Sequence, residues 1–272
     1  MVGGLAVRVW GDPAEPGIVL WPGLGSSGAY FASVAGALPG RGVAVDPPGC
    51  GRTVPLDPCT CERLVEMTRG VVEACGCRAI VGHSLGAYVA IGVAAKPPVG
   101  LRAAVLIDGG FLDADGFAEL GMPTTQGRAE LSAWLEANAP RFPSWDTAIR
   151  KLAIMVGTEA TPALEAYVRQ VFAEVDGEIR ERARPDRMAD LLLAVLEEDV
   201  HARAQRVRVP TLLIACGQPP ERRATREKAW QRLAQASPLI ELHVADDWGH
   251  NPILQDAEVS SSVIADWLRA HL

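Results

Sequence analysis

The sequence predicts an α/β protein: a mostly parallel, doubly wound sheet flanked by helices, with an inserted helical cap. Two observations carry the first part. Short apolar runs alternate with helix-spaced apolar stripes over 18–107 and again over 211–268. A strand, helix, strand order also calls for parallel strands joined by helical crossovers. The third observation is a change of rhythm, since residues 111–206 show helical stripes and no strand signal.

Taken in order, residues 5–10 alternate and precede the turn-rich G-D-P-A-E-P-G, which predicts a strand at a half-exposed sheet edge. Residues 18–21 are a fully apolar strand running into Pro22-Gly23-Leu24-Gly25-Ser26-Ser27-Gly28, a loop able to bring backbone N–H groups close to a ligand. Tyr30, Phe31, Val34, Ala35 and Leu38 mark a helix, and 43–46 a further strand. Leu64, Val65, Thr68, Val71, Val72 and Cys75 form one helical stripe. Strands follow at 79–81 and 101–107, the latter stopping at Asp108-Gly109-Gly110.

Helices are predicted at 130–139, 146–156, 162–176 and 186–199, with Thr161 before Pro162 as a helix start. Helices inserted between two sheet strands make a lid, so the domain reading is a core of 1–110 and 207–272 with a cap of 111–206. Core elements resume with a strand at 211–215, a helix at 222–236, a strand at 240–244 and a closing helix bearing Val259, Val263, Ile264, Trp267 and Leu268.

Composition narrows the partners. A net charge of −7 with no Lys/Arg-rich block argues against nucleic acid, and no apolar run is long enough to span a bilayer. The start of the chain carries no signal-peptide pattern, so a soluble, cytoplasmic protein with a small neutral or apolar partner is expected. Five of six cysteines fall between Cys50 and Cys77, but without a C-x-x-C pair; reduced packing thiols are expected, with no metal and no cofactor.

The chemistry concentrates in Gly82-His83-Ser84-Leu85-Gly86, between a strand and a helix. Glycines two before and two after the serine allow a tight turn that leaves the hydroxyl exposed and aims the Leu85 N–H at the same space. Ser84 is therefore the candidate nucleophile. A serine hydroxyl needs an imidazole to take its proton and a carboxylate to orient that imidazole. Among five histidines, His250 alone stands in a glycine-bearing loop beyond the last strand, while His83, His201, His243 and His271 lie in a turn, at the end of the lid segment, in a strand and next to the C-terminus.

The run L-W-P-G-L-G-S-S-G, then V-D-P-P-G-C-G-R-T, G-H-S-L-G and W-G-H-N-P, resembles the α/β-hydrolase family over nearly the whole chain. That resemblance implies a Ser, acid, His triad, an oxyanion hole from the Leu24 and Leu85 N–H groups, and a cap after the strand ending at Asp108. Pro22-Gly23 stands where many members have His-Gly. Members usually carry the acid after the strand corresponding to 211–215, which points to Glu221; a minority carry it after the preceding strand, which points to Asp108. Asp108 fits without an insertion and is preferred, with Glu221 the alternative.

Trp134, Phe142, Trp145, Tyr167 and Phe172 are the expected pocket aromatics. The expected activity is hydrolysis of a small carboxylic ester, lactone or thioester. A carbon–carbon bond hydrolase with the same triad and a slow, receptor-like ligand-binding homologue are the alternatives.

Overall fold

In a computed structural model, which describes residues 1–124 and 127–272, seven strands form the central sheet. They are β1 (Ala6–Trp10), β2 (Gly17–Trp21), β3 (Arg41–Asp46), β4 (Cys77–His83), β5 (Ala103–Ile107), β9 (Thr211–Cys216) and β10 (Ile240–Ala245). Their spatial order is β1-β3-β2-β4-β5-β9-β10, with β1 antiparallel to β3 and every other pair parallel. Ser84, Asp108 and the loops after β9 and β10 thus emerge at the same edge of the sheet.

Alternation within each strand divides the core between two faces. Val19, Trp21, Val43, Val45, Ile80, Leu106 and Leu213 pack on one side, against helices α1 (Cys61–Ala74), α2 (Leu85–Ala95), α7 (Pro185–Leu196), α8 (Val200–Ala204) and α9 (Arg223–Gln235). Ile18, Leu20, Ala44, Val81, Val105, Ile107 and Ile214 pack on the other. There they meet Tyr30, Phe31 and Val34, Ile253 of α10 (Pro252–Gln255), and Ile264 and Leu268 of α11 (Ala257–His271). Because β2 and β4 are covered on both faces, their sequences read as unbroken apolar runs. Helix α2 is buried along its length, from Leu85 to Ala94, which explains its lack of a polar stripe.

Two elements differ from expectation. The helix expected across Tyr30 to Leu38 is a single 3₁₀ turn, Gly28–Phe31, followed by turns. Its apolar side chains bury themselves against β2 and β3 without a regular helix, so burial spacing alone misled. The segment 111–206 is not all helical either. Besides α3 (Ala114–Glu119), α4 (Arg128–Asn138), α5 (Trp145–Val156), α6 (Pro162–Val171), α7 and α8, it holds β6 (Arg141–Phe142), β7 (Phe172–Val175) and β8 (Glu178–Glu181). These strands make a small antiparallel sheet, β6-β8-β7.

The helix expected over 162–176 therefore ends at Val171, where Phe172 becomes the first residue of a hairpin turning at Asp176 and Gly177, both with positive φ. Packing divides the segment as well. Phe142, Ala148, Leu164, Val168, Phe172 and Ile179 share a separate small core, whereas Met188, Leu191 and Leu192 of α7 and Leu131 of α4 join the main one. Residues 125 and 126 of this segment lie outside the described residues.

Among the described residues no helix is long and apolar enough to cross a membrane. All six cysteines are free thiols, and no cluster of His, Cys, Asp or Glu among the described residues is arranged to hold a metal ion.

Candidate active site

The turn after β4 is shaped by backbone contact. A Cβ on Gly82 would lie 2.2 Å from the Gly86 carbonyl oxygen, and one on Gly86 2.3 Å from that of Trp21. Only glycine permits this approach. Ser84 is held at φ 53°, a conformation costly for an L-residue, which lifts its side chain out of the line of strand and helix. Asp108, at the end of the neighbouring strand, is likewise at positive φ (44°). Gly109 beside it passes so close that a Cβ would sit 2.2 Å from the Ser84 carbonyl oxygen.

Three predicted residues meet here. His250 Nε2 lies 3.0 Å from Ser84 Oγ, and His250 Nδ1 lies 2.6 Å from Asp108 Oδ2. An ionised carboxylate can only accept, so Nδ1 carries the proton and Nε2 offers its lone pair to the serine hydroxyl. Asp108 Oδ1 is occupied from behind: it accepts from the Cys216 N–H at 3.0 Å and from Arg226 Nη2. Burial alone would raise the Asp108 carboxyl. The hydrogen bond from His250, the imidazolium charge whenever His250 is protonated, the charge of Arg226 and the Cys216 N–H outweigh it and hold the group below the ordinary carboxylate range. The Asp108 side chain is 1% exposed and that of His250 51%, so the imidazole faces the open side of the site while its partner carboxylate does not.

Glu221 stands elsewhere. It is exposed on the 3₁₀ turn Pro220–Arg222 before α9 and makes no hydrogen bond to His250. The loop after β9 approaches Asp108 through the Cys216 N–H rather than by supplying a carboxylate of its own.

His83 does point away from Ser84. Its Nε2 lies 2.6 Å from the His250 carbonyl oxygen, so Nε2 must donate. Tyr30 stacks on the ring at 4.6 Å between centroids. Burial, then the neighbouring His250, push the His83 pKa down to about 3, leaving a neutral donor that braces the His250 loop. Gln255 supports the same loop by accepting from the Gly249 N–H at 2.7 Å. His201 lies on α8, His243 on the edge strand β10, and His271 against the Trp267 carbonyl oxygen, all apart from Ser84, His250 and Asp108.

A cavity of about 420 Å³ opens over Ser84. Leu24 and Leu85, the expected oxyanion donors, both line it. Leu85 is the first residue of α2, so its N–H has no partner within the helix. The Leu24 N–H makes no hydrogen bond within the described residues. Of the five aromatics expected in the pocket, only Tyr167 lines it, its hydroxyl 2.9 Å from Ser26 Oγ.

The other four are corrected. Phe142 and Phe172 are buried in the small core of the insert, Trp145 packs on that core beneath the Arg169 guanidinium, and Trp134 stands half-exposed on α4. Phe142 and Phe172 are themselves residues of the β6-β8-β7 sheet and pack with α5 and α6, which helical spacing alone does not reveal.

The walls come instead from α2, from the stretch following β5 and from α7: Tyr88, Phe111, Leu112, Phe117, Leu192 and Val195. Arg226 was also missed. Its signal was a charged residue on the buried stripe of α9, spaced four and seven from Trp230 and Leu233.

Comparison with known proteins agrees with this architecture. The sequence profile of the Alpha/beta hydrolase family matches residues 18–261. No curated protein matches the chain by sequence. Among solved structures, an E-2-(acetamidomethylene)succinate hydrolase superimposes with a TM-score of 0.76 at 20% identity, over 97% of this chain and 95% of the other. The thioesterase domain from the curacin biosynthetic pathway gives 0.71 at 19% identity, over 98% and 95%. The enol-lactonase from Burkholderia xenovorans LB400 gives 0.68 at 19% identity, over 97% and 96%. At these identities the likeness is one of fold.

Proposed function

Because the chain belongs to the alpha/beta hydrolase family, we propose that it is a serine hydrolase that cleaves a small carboxylic ester, lactone or thioester through an acyl-enzyme. The observation that carries this reading is the continuous relay Ser84 Oγ, His250, Asp108 beneath a largely apolar cavity.

In this mechanism His250 Nε2 takes the Ser84 proton as Oγ attacks the substrate carbonyl carbon. Asp108 keeps Nδ1 protonated and balances the imidazolium. The Leu24 and Leu85 N–H groups receive the negative charge that develops on the carbonyl oxygen, preorganised by the backbone turns that hold them. His250 then gives its proton to the departing alcohol or thiol. A water, deprotonated by the same imidazole, releases the acid and restores Ser84. Residues 111–206 act as the lid, with Phe117 and Leu192 shaping the acyl site. The similar structures are named as a hydrolase, a thioesterase domain and an enol-lactonase, two of them for bond types that this reading covers.

Treatment with a fluorophosphonate tests it. One adduct per chain on Ser84 is expected, none on Ser84→Ala, and a panel of acyl lengths, lactones and thioesters then ranks substrates. A parent protein that takes no label would instead favour a ligand-binding homologue.

A further inference from the structure

The titratable side chains in electrostatic reach of Asp108 come from five elements besides the His250 loop: Tyr30 from the 3₁₀ turn, His83 from β4, Tyr88 from α2, Cys216 from β9 and Arg226 from α9. Burial pushes Tyr30, Tyr88 and Cys216 up and His83 down to about 3, so all four are uncharged at neutral pH. Arg226 is left as the charged group of the five. Its side chain is 7% exposed and its guanidinium is held on several sides. Nη2 donates to Asp108 Oδ1, Nη1 donates to the Gln218 carbonyl oxygen at 3.0 Å, and the plane lies against Phe111 and Trp230, 5.9 and 5.7 Å from their centroids.

We propose that Arg226 is a positioning residue for the triad: it anchors Oδ1 of Asp108 so that Oδ2 meets His250 Nδ1, and its charge sets how strongly the carboxylate favours the imidazolium. This rests on the catalytic reading of Ser84, His250 and Asp108. A carboxylate buried this deeply is unstable as an anion without a partner beyond the imidazole, which is itself neutral for half of the cycle. Arg226 supplies that partner permanently, because a guanidinium does not deprotonate.

The loop after β9 takes part in the same arrangement, since it lends the Cys216 N–H to Asp108 and the Gln218 carbonyl to Arg226. A chain whose acid stands at the end of β5 thus uses the next strand's loop and helix as its scaffold.

The experiment measures kcat/KM against pH with p-nitrophenyl acetate, and the rate of fluorophosphonate labelling. The proteins are the parent, Arg226→Gln, Arg226→Lys, Asp108→Asn and the double variants that join each Arg226 change to Asp108→Asn. Removal of the charge weakens Asp108 ionisation and stabilises the imidazolium, and both move the acidic limb upward. Arg226→Gln should therefore raise the limb by about one pH unit and lower kcat by about 10–100-fold with KM little changed. Arg226→Lys keeps the charge and should leave the limb in place, with a smaller loss of kcat. Neither change should cost anything further in the Asp108→Asn background, because Arg226 acts through that carboxylate.

An unmoved limb in Arg226→Gln, or an equal loss in the parent and Asp108→Asn backgrounds, overturns the assignment. If Arg226→Gln does not fold, the cycle with Arg226→Lys decides: a kcat loss that disappears in the Asp108→Asn background supports the role, and an equal loss in both backgrounds overturns it. A labelled parent with an unmoved limb sinks the role of Arg226 alone; an unlabelled parent sinks the catalytic reading and this role with it.

Discussion

A Cβ added to Gly109 would strike the Ser84 backbone at 2.2 Å, whereas one added to Gly177, in the hairpin of the inserted segment, would meet nothing within 4 Å. The same contrast runs through both regions. At the strand ends, main chain touches main chain, so the permitted residue types are few and the motif stands out in the sequence. In the insert, side chains settle against one another, and several arrangements satisfy the same apolar stripe. Backbone geometry at the strand ends can therefore be read from spacing, while the pocket wall depends on which way a stripe turns.

The largest test of this contrast is at the proposed triad. Asp108→Asn should lower kcat on the order of 10⁴-fold, because an amide cannot hold the imidazole in its reactive tautomer or balance its charge, while Glu221→Gln stays within about twofold. Steady-state rates on one activated ester compare them directly, and the reverse ranking would remove Asp108 from its role.

Next comes the insert. Phe172→Ala should cost about 3–5 kcal/mol in urea unfolding yet leave KM for a short ester nearly unchanged, since Phe172 packs only within the small core. Phe117→Ala, on the half-buried cavity wall, should do the opposite, raising KM for bulky acyl esters by about 10-fold with little loss of stability. Similar KM effects in the two variants would mean that the small core shapes the pocket after all.

The glycines give a smaller separation. Gly109→Ala should destabilise by about 3 kcal/mol and abolish labelling of Ser84. Gly177→Ala, strained only by its φ of +78°, should cost about 1 kcal/mol and keep full activity. Denaturant midpoints and fluorophosphonate labelling measure both.

The two regions also titrate in opposite senses. His83 has a folded pKa near 3 against 6.5 unperturbed, so its contribution is fully present above pH 6.5 and is lost as pH falls toward 3. Glu181, on β8 of the insert, is raised by burial from 4.5 to about 7, so its contribution is present below pH 4.5 and lost as pH rises through 7. Melting temperature followed against pH should show a shallower acid fall in His83→Gln. Glu181→Gln should show a gain of about 2 °C at pH 8 and none at pH 4. A gain at both pH values would indicate a packing effect instead.

The succession of apolar runs and helical stripes was enough for the sheet, and the spacing around Ser84 and His250 singled out two residues that the structure brings within 3.0 Å of each other. Those features are local: a strand's period and a turn's glycines leave their mark within a few residues. What tertiary structure alone decided was relational. Asp108 rather than Glu221 meets His250 because the end of β5 lies beside that of β4, while the 3₁₀ turn before α9 carries Glu221 out to solvent. Arg226 reaches Asp108 because α9 turns its buried face toward that carboxylate across more than a hundred residues of chain. Phe142 and Phe172 leave the pocket because they belong to a small sheet, of short and half-exposed strands with little apolar periodicity, that closes a separate core with α5 and α6. Periodicity states that a face will be buried; the partner that buries it exists only once the chain has folded.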